Sequence, residues 1–187
     1  MRVADLGSGR GSNAAQIWPG ATVVRVDADP EVMPDVVADV RALPADLGKF
    51  DAILASHVLE HIPRMAALPA VRHWAEFLTF DGELHIVVPD LAWAAERILR
   101  GSNDIRVLGH IFGSGESDWQ QHKFGYTTLL LRNLIHAAGL RVVRIETGPY
   151  AIEWQGETGG PAVMEGRIIY AMAVKPRRQD NAEDGNT

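Results

Sequence analysis

Cysteine is absent from this 187-residue sequence, which removes disulfides, thiolate metal sites and a thiol nucleophile together. Lysine is scarce. Only Lys49, Lys123 and Lys175 accompany arginines scattered along the chain, and no basic stripe of the kind that neutralises duplex phosphates is visible. The net charge of −6 points the same way, so nucleic acid is disfavoured as the main partner. Long apolar runs are missing as well. None approaches the roughly 18 residues a membrane-spanning helix needs, and Met1-Arg2-Val3-Ala4-Asp5 lacks the apolar stretch of a secretory signal. No membrane association is expected, and the cytoplasm is the default location. There is no internal repeat.

What remains is one domain's worth of ordinary globular sequence, 47% hydrophobic and 22% charged, which can bury a core without dividing into two. Apolar runs and helical periodicities alternate along it. Strands are expected at Arg2 to Leu6, Thr22 to Val26, Val36 to Ala38, Asp51 to Ala55 and, after an Asp81-Gly82 turn, Glu83 to Val88. Helices are expected at Asn13 to Trp18, Met65 to Leu78, Leu91 to Leu99 and Thr127 to Ala138, the last closed by Gly139. Two further strands, Arg141 to Thr147 and Arg167 to Val174, follow with no helix between them. The alternation implies a parallel α/β sheet with right-handed crossovers, and the helix-free pair implies one antiparallel strand. Residues 102–126 and 149–166 read as irregular insertions, which in a compact domain mark lids or acceptor sites. Residues 1–175 form the domain on this reading, and 176–187 a disordered polar tail.

Four segments carry chemistry. Val3-Ala4-Asp5-Leu6-Gly7-Ser8-Gly9-Arg10-Gly11 sets a glycine turn between the first strand and first helix, where an open α/β sheet binds ligands. Asp27 ends the second strand, placed to accept both hydroxyls of an adenosine ribose. Asp39 ends the third strand, where an acid can meet the exocyclic amine of adenine. The fourth strand runs into Ser56-His57-Val58-Leu59-Glu60-His61-Ile62-Pro63, a loop that should face the cofactor. A dinucleotide fingerprint needs Gly-x-Gly-x-x-Gly, but position 12 is Ser and the third glycine comes early at Gly11, which disfavours NAD.

Together, DLGSGRG, the acid of VDADP, ADVRALP and FDAILASHVLEHIP resemble successive motifs of the class I S-adenosylmethionine (SAM)-dependent methyltransferases, small-molecule type. GELHIVVPDL resembles the fifth strand of that family, and the resemblance runs to about residue 147. It implies a three-layer Rossmann-like sheet of seven strands in the order 3-2-1-4-5-7-6, mostly parallel with an antiparallel seventh strand and helices on both faces. It also implies SAM as cofactor. Asp5 would orient the glycine loop and approach the methionine amino group, while Gly7, Ser8 and Gly9 would pass under methionine and ribose. Asp27 would hold the ribose, with Ala28 against adenine and Asp39 and Val40 at its edge. Ser56 and His57 would line the methionine side. Shielding the methyl from water falls to 102–126 and 149–166, or to a partner subunit in a homo-oligomer that closes the site.

Seven histidines are present. His73, His85 and His136 sit within expected elements and read as structural. His57, His61, His110 and His122 lie in loops that can converge above the methyl, with His122 as general base and His57 or His61 positioning cofactor or acceptor. His57-x-x-Glu60-His61 also matches a zinc-peptidase string, but it follows a strand rather than a helix. It resembles as well the Glu-x-x-Glu-His string with which, together with a distant His, some metal-assisted methyltransferases bind a divalent ion. His57 stands where that string has its first Glu, and no metal is expected. Trp119, Phe124, Tyr126 and Trp154 are candidates to wall an acceptor pocket, whereas Trp18, Trp74 and Trp93 read as core. The expected activity is methyl transfer to an oxygen or nitrogen of a small-molecule or glycan-type acceptor. The alternatives are a SAM-binding partner or regulatory subunit without catalysis, and a protein or nucleic-acid methyltransferase.

Overall fold

The computed structural model describes residues 1–115, 117–155 and 161–177. Its centre is a seven-stranded sheet of β1 (Arg2–Leu6), β2 (Thr22–Asp27), β3 (Val36–Val37), β4 (Phe50–Ser56), β5 (Leu78–Pro89), β6 (Arg141–Gln155) and β7 (Pro161–Val174). The order is β3-β2-β1-β4-β5-β7-β6, as expected. β1 lies parallel to both β2 and β4, and β4 lies parallel to β5. β7 runs antiparallel to β5 and β6. Strand order therefore reverses beside β1, and the glycine turn sits at the carboxyl end of that strand, where crossovers to either side leave a crevice.

Helices α1 (Asn13–Ile17), α2 (Arg64–Phe77), α3 (Leu91–Leu99), α4 (Ile105–Phe112) and α5 (Thr128–Ala137) complete the fold. Their ends follow from local chemistry. Ser12 caps α1 by accepting from the Ala15 amide, Asp90 caps α3 by accepting from Ala92 and Trp93, and Thr127 caps α5 by accepting from Leu130. Gly139, at φ +83°, takes the left-handed turn out of α5.

The core is continuous between sheet and helices. Val3, Ala4, Leu6, Ile53, Ala55, Ile86 and Val88 are fully buried strand residues. On α2 the buried face is Ala67, Ala70, Val71, Trp74, Ala75 and Phe77, with Leu68 only half-buried. Trp74 is fully buried, and its indole donates to the Val40 carbonyl at 2.7 Å, tying α2 to the segment that carries Asp39. Trp18 and Trp93 are half-buried rather than core.

Two stretches depart from expectation. Residues 105–112, expected to be irregular, form α4, capped by Asp104, which accepts from the Arg106 amide. β6 and β7 extend beyond Thr147 and before Arg167 as one long antiparallel ladder, with pairs running out to Gln155 and Pro161. The Asp81-Gly82 turn is a kink inside β5. Asp81 adopts φ +62°, and the β4–β5 register slips between the Phe50–Leu78 and Ala52–Glu83 pairs. Of the expected polar tail, residues 178–187 lie outside the described residues.

Candidate active site

The glycine turn is held by three side chains from two adjacent strands, β1 and β2. Asp5, buried at the end of β1, accepts from the Ser12 hydroxyl at 2.6 Å and the Ala14 amide at 3.1 Å. Its carboxylate thus fixes the start of α1 relative to the loop, and burial pushes its pKa up against these hydrogen bonds. Asp27, at the end of β2, accepts from the Gly9 amide at 2.9 Å and, through its other oxygen, from the Asp29 amide at 3.0 Å. Arg25 donates to the Gly9 carbonyl at 2.7 Å and the Val32 carbonyl at 3.0 Å. Nothing in the sequence singles out Arg25, because its role depends on which strand lies next to β1.

Glycine is required here for a physical reason. Gly7 (φ +63°) and Gly9 (φ +59°) are both left-handed. A Cβ on Gly7 would lie 2.5 Å from the Val58 side chain, so the loop after β4 packs directly against this turn. At Gly9 and Gly11 a Cβ would meet nothing within 4 Å, and the backbone there faces open space. Each Asp27 oxygen keeps a second lone pair beyond its amide bond. An exposed left-handed backbone beside a half-buried acceptor carboxylate fits the ribose and amino-acid portion of SAM.

Further along the same edge, Asp39 and Val40 are half-buried after β3. Asp39 chelates the Arg41 guanidinium, which holds its carboxyl below the usual range. Ala28 and Ser56 are half-buried at the ends of β2 and β4.

The loop after β4 gathers the other titratable groups. His57 adopts φ +55°, uncommon for a residue with a side chain, and its amide donates to the Val87 carbonyl at 2.9 Å. Its Nδ1 lies 3.1 Å from Glu60 Oε1. Glu60 is only 1% exposed, and its Oε2 is buried without a hydrogen-bond partner among the described residues. The Glu60 carbonyl accepts from the amides of Lys123 and Phe124, joining this loop to the segment after α4. That link brings His61 against His122, ring centroids 5.0 Å apart and nearly perpendicular. His61 Nδ1 faces the Gln121 carbonyl at 3.1 Å, and His122 Nδ1 faces the His110 carbonyl at 3.2 Å. Burial lowers the pKa of both His110 and His122, favouring neutral rings. The Tyr126 hydroxyl is buried, without a partner among the described residues, and raised in pKa by burial and then by Glu60.

Three of these groups, His57, His110 and His122, border a cavity of about 830 Å³ at the carboxyl ends of β4 and β5. His57, Pro89, Leu108, His110, Phe112 and His122 are among its lining residues. The four loop histidines therefore come together, and three of them line the cavity; His61 stands behind His122. Of the expected aromatic wall, Trp119, Phe124 and Tyr126 are not among the lining residues. Trp119 is 73% exposed, while Phe124 and Tyr126 stack edge-on at 5.2 Å and pack into the core. The Trp154 side chain lies outside the described residues. The lining aromatic is Phe112 of α4. Of the histidines read as structural, His73 accepts from the Leu43 amide at 2.9 Å and His85 is buried between Glu83 and Tyr170, whereas His136 is exposed.

Sheet order, the glycine turn and the acids at the strand ends define the class I Rossmann-like fold of SAM-dependent methyltransferases. Residues 4–86 match the family model described as Methyltransferase domain. That segment and the fold around it are those of class I SAM-dependent methyltransferases, enzymes whose methyl donor is SAM. No curated protein matches the chain. Among solved structures, a SAM-dependent methyltransferase from Methanosarcina mazei is similar at TM-score 0.63 and 15% identity, over 94% of this chain and 92% of that one. The N-methyltransferase NodS from Bradyrhizobium japonicum, in complex with S-adenosyl-L-homocysteine (SAH), is similar at TM-score 0.58 and 14% identity, over 94% and 78%. A protein of echinomycin biosynthesis, from the conversion of a disulfide bond into a thioacetal group, is similar at TM-score 0.69 and 14% identity, over 100% and 82%.

Proposed function

We propose that this protein transfers the methyl group of SAM to an oxygen or nitrogen of a small-molecule or glycan-type acceptor, with the acceptor seated in the cavity under α4. The observation that carries the reading is a division of labour along one sheet edge. The glycine turn and Asp27 stand at the ends of β1 and β2, the cavity stands at the ends of β4 and β5, and His57 lies at the seam. A cavity of about 830 Å³ suits a small acceptor or one sugar unit, since small-ligand sites run from roughly 300 to 1,000 Å³.

SAM supplies an activated methyl on a sulfonium that departs as a neutral thioether. The chain's contribution is to align the acceptor with that methyl and to take the proton the acceptor releases. Asp5, Asp27 and the glycine backbone hold the donor side. His57 is the proton acceptor best supported by geometry, because Glu60 backs its Nδ1 from a buried position, the arrangement that orients an imidazole toward a substrate. His122, the base expected from sequence, has its Nδ1 anchored on the neutral His110 carbonyl rather than on a carboxylate, and burial lowers its pKa. We assign it to the acceptor wall.

The test is transfer of a labelled methyl from SAM across a panel of hydroxyl- and amine-bearing small molecules and glycosides. The expected result is transfer to a subset, lowered about 10²-fold or more in His57→Ala, the usual scale for losing a general base, with SAH affinity little changed. Tight SAH binding without transfer to any acceptor contradicts the reading.

A further inference from the structure

Behind the cavity wall, Glu60, His61 and His122 each bring one ligand atom within 4.8 Å of the others, a spacing that can enclose a single ion. Glu60 comes from the turn after β4 and His122 from the segment after α4, so the fold assembles the trio from residues about sixty positions apart.

Two features go beyond proximity. First, both imidazoles turn Nδ1 toward a backbone carbonyl, His61 toward Gln121 and His122 toward His110. A carbonyl can only accept, so Nδ1 carries the proton in each ring and Nε2 keeps its lone pair. Metal-ligating histidines are typically oriented in this way, with one nitrogen anchored on a backbone oxygen and the other presented to the ion. Second, Glu60 is almost fully buried, and its two oxygens are used unequally. Oε1 meets His57 Nδ1, whereas Oε2 has no hydrogen-bond partner among the described residues. A buried carboxylate oxygen of this kind calls for a cation or a proton.

We infer that Glu60, His61 and His122 form a binding site for one divalent first-row transition-metal ion at the wall of the acceptor cavity. Two imidazole nitrogens and one carboxylate oxygen, with no thiolate, suit ions such as Zn²⁺, Mn²⁺, Fe²⁺ or Co²⁺ rather than Mg²⁺ or Ca²⁺, which favour all-oxygen shells. Three protein ligands leave coordination positions for water or an acceptor oxygen. His122 is common to the trio and the cavity lining, so the ion would adjoin the proposed acceptor cavity. In that last respect the inference rests on the methyl-transfer reading; the binding site itself does not. The sequence pointed away from metal because His57-x-x-Glu60-His61 follows a strand and carries His57 where a metal-binding Glu-x-x-Glu-His string has its first Glu; the trio instead joins Glu60 and His61 to the distant His122.

The test is titration of the metal-stripped full-length protein with Co²⁺, following the visible bands of the bound ion. The expected result is one Co²⁺ per chain, displaced by Zn²⁺, with binding weakened at least tenfold in His61→Ala, His122→Ala and the near-isosteric Glu60→Gln. Thermal unfolding identifies any variant that has lost its fold, and a conclusion needs only the folded ones. Absence of stoichiometric Co²⁺ binding overturns the inference, as does binding that survives unchanged in folded His61→Ala and His122→Ala. SAH calorimetry on the same preparation separates the two readings. Co²⁺ bound without SAH keeps the metal site and removes the methyl-transfer reading, and SAH bound without Co²⁺ does the reverse.

Discussion

Gly7 shows how closely the two halves of the site are joined. Its left-handed φ of +63° excludes a side chain on conformational grounds, and Val58 excludes one on steric grounds at 2.5 Å. Gly7→Ala therefore meets two costs, roughly 1–2 kcal/mol for the left-handed backbone and a further 1–3 kcal/mol or so for overpacking. We expect Gly7→Ala to lose about 2 kcal/mol or more in denaturant unfolding. Adding Val58→Ala should restore only the steric part. Full recovery in the double variant would show that the backbone conformation carries no cost. Asp5, Gly7, Gly9 and Asp27 were each legible in the sequence, because a glycine turn after one strand and an acid after the next is a local pattern. Arg25 and Glu60 were not. Arg25 acts through a neighbouring strand, and Glu60 looked like part of a short string until burial and His122 gave it a partner. A signal for Glu60 did exist: it is an acid set between apolar Val58-Leu59 and Ile62, where an unpaired charge is costly if the segment is buried.

At the scale of elements, α4 is the feature the sequence concealed. Ser102 to Gly125 is rich in Gly, Ser, Asp and His, and that composition hid an eight-residue helix. The available cue was Asp104 as a cap ahead of Ile105, Leu108 and Phe112, spaced as one helical face. The helix buries Val107 and His110 instead, and His110 Nε2 donates to the Arg167 carbonyl of β7 at 2.6 Å. Leu108 and Phe112 are thereby left to line the cavity. The long β6–β7 ladder was missed for a related reason. Pro149, Gly156, Gly159 and Gly160 signal a loop, and they outweighed the alternation of Tyr150, Ile152 and Trp154. If α4 forms the acceptor side alone, Leu108→Trp should fill part of the cavity and raise the KM for the acceptor severalfold or more. SAH affinity, read by calorimetry, should stay within about twofold. A comparable loss of SAH affinity would mean that the two sides are not separable.

The whole molecule turns on strand order. β1 stands between β2 and β4, all three parallel, so the glycine turn after β1, Asp27 at the end of β2 and the histidine loop after β4 come to one edge of the sheet. This much followed from the succession of motifs and their resemblance to a known family. The cavity proposed for the acceptor did not, because its lining comes from α4, from residues between Gly113 and His122 and from the end of β5, and only the tertiary fold brings these together. No helix among the described residues is long and apolar enough to cross a membrane. The account as a whole depends on Asp27 and the backbone of Gly9 forming a seat for the donor. Calorimetric titration of the protein with SAH tests that directly. One SAH should bind per chain, and Asp27→Ala should weaken it by about tenfold to a hundredfold, the scale of losing charge-assisted hydrogen bonds worth roughly 1.5–3 kcal/mol. No heat with either SAH or SAM, or an affinity that Asp27→Ala leaves unchanged, would contradict the account.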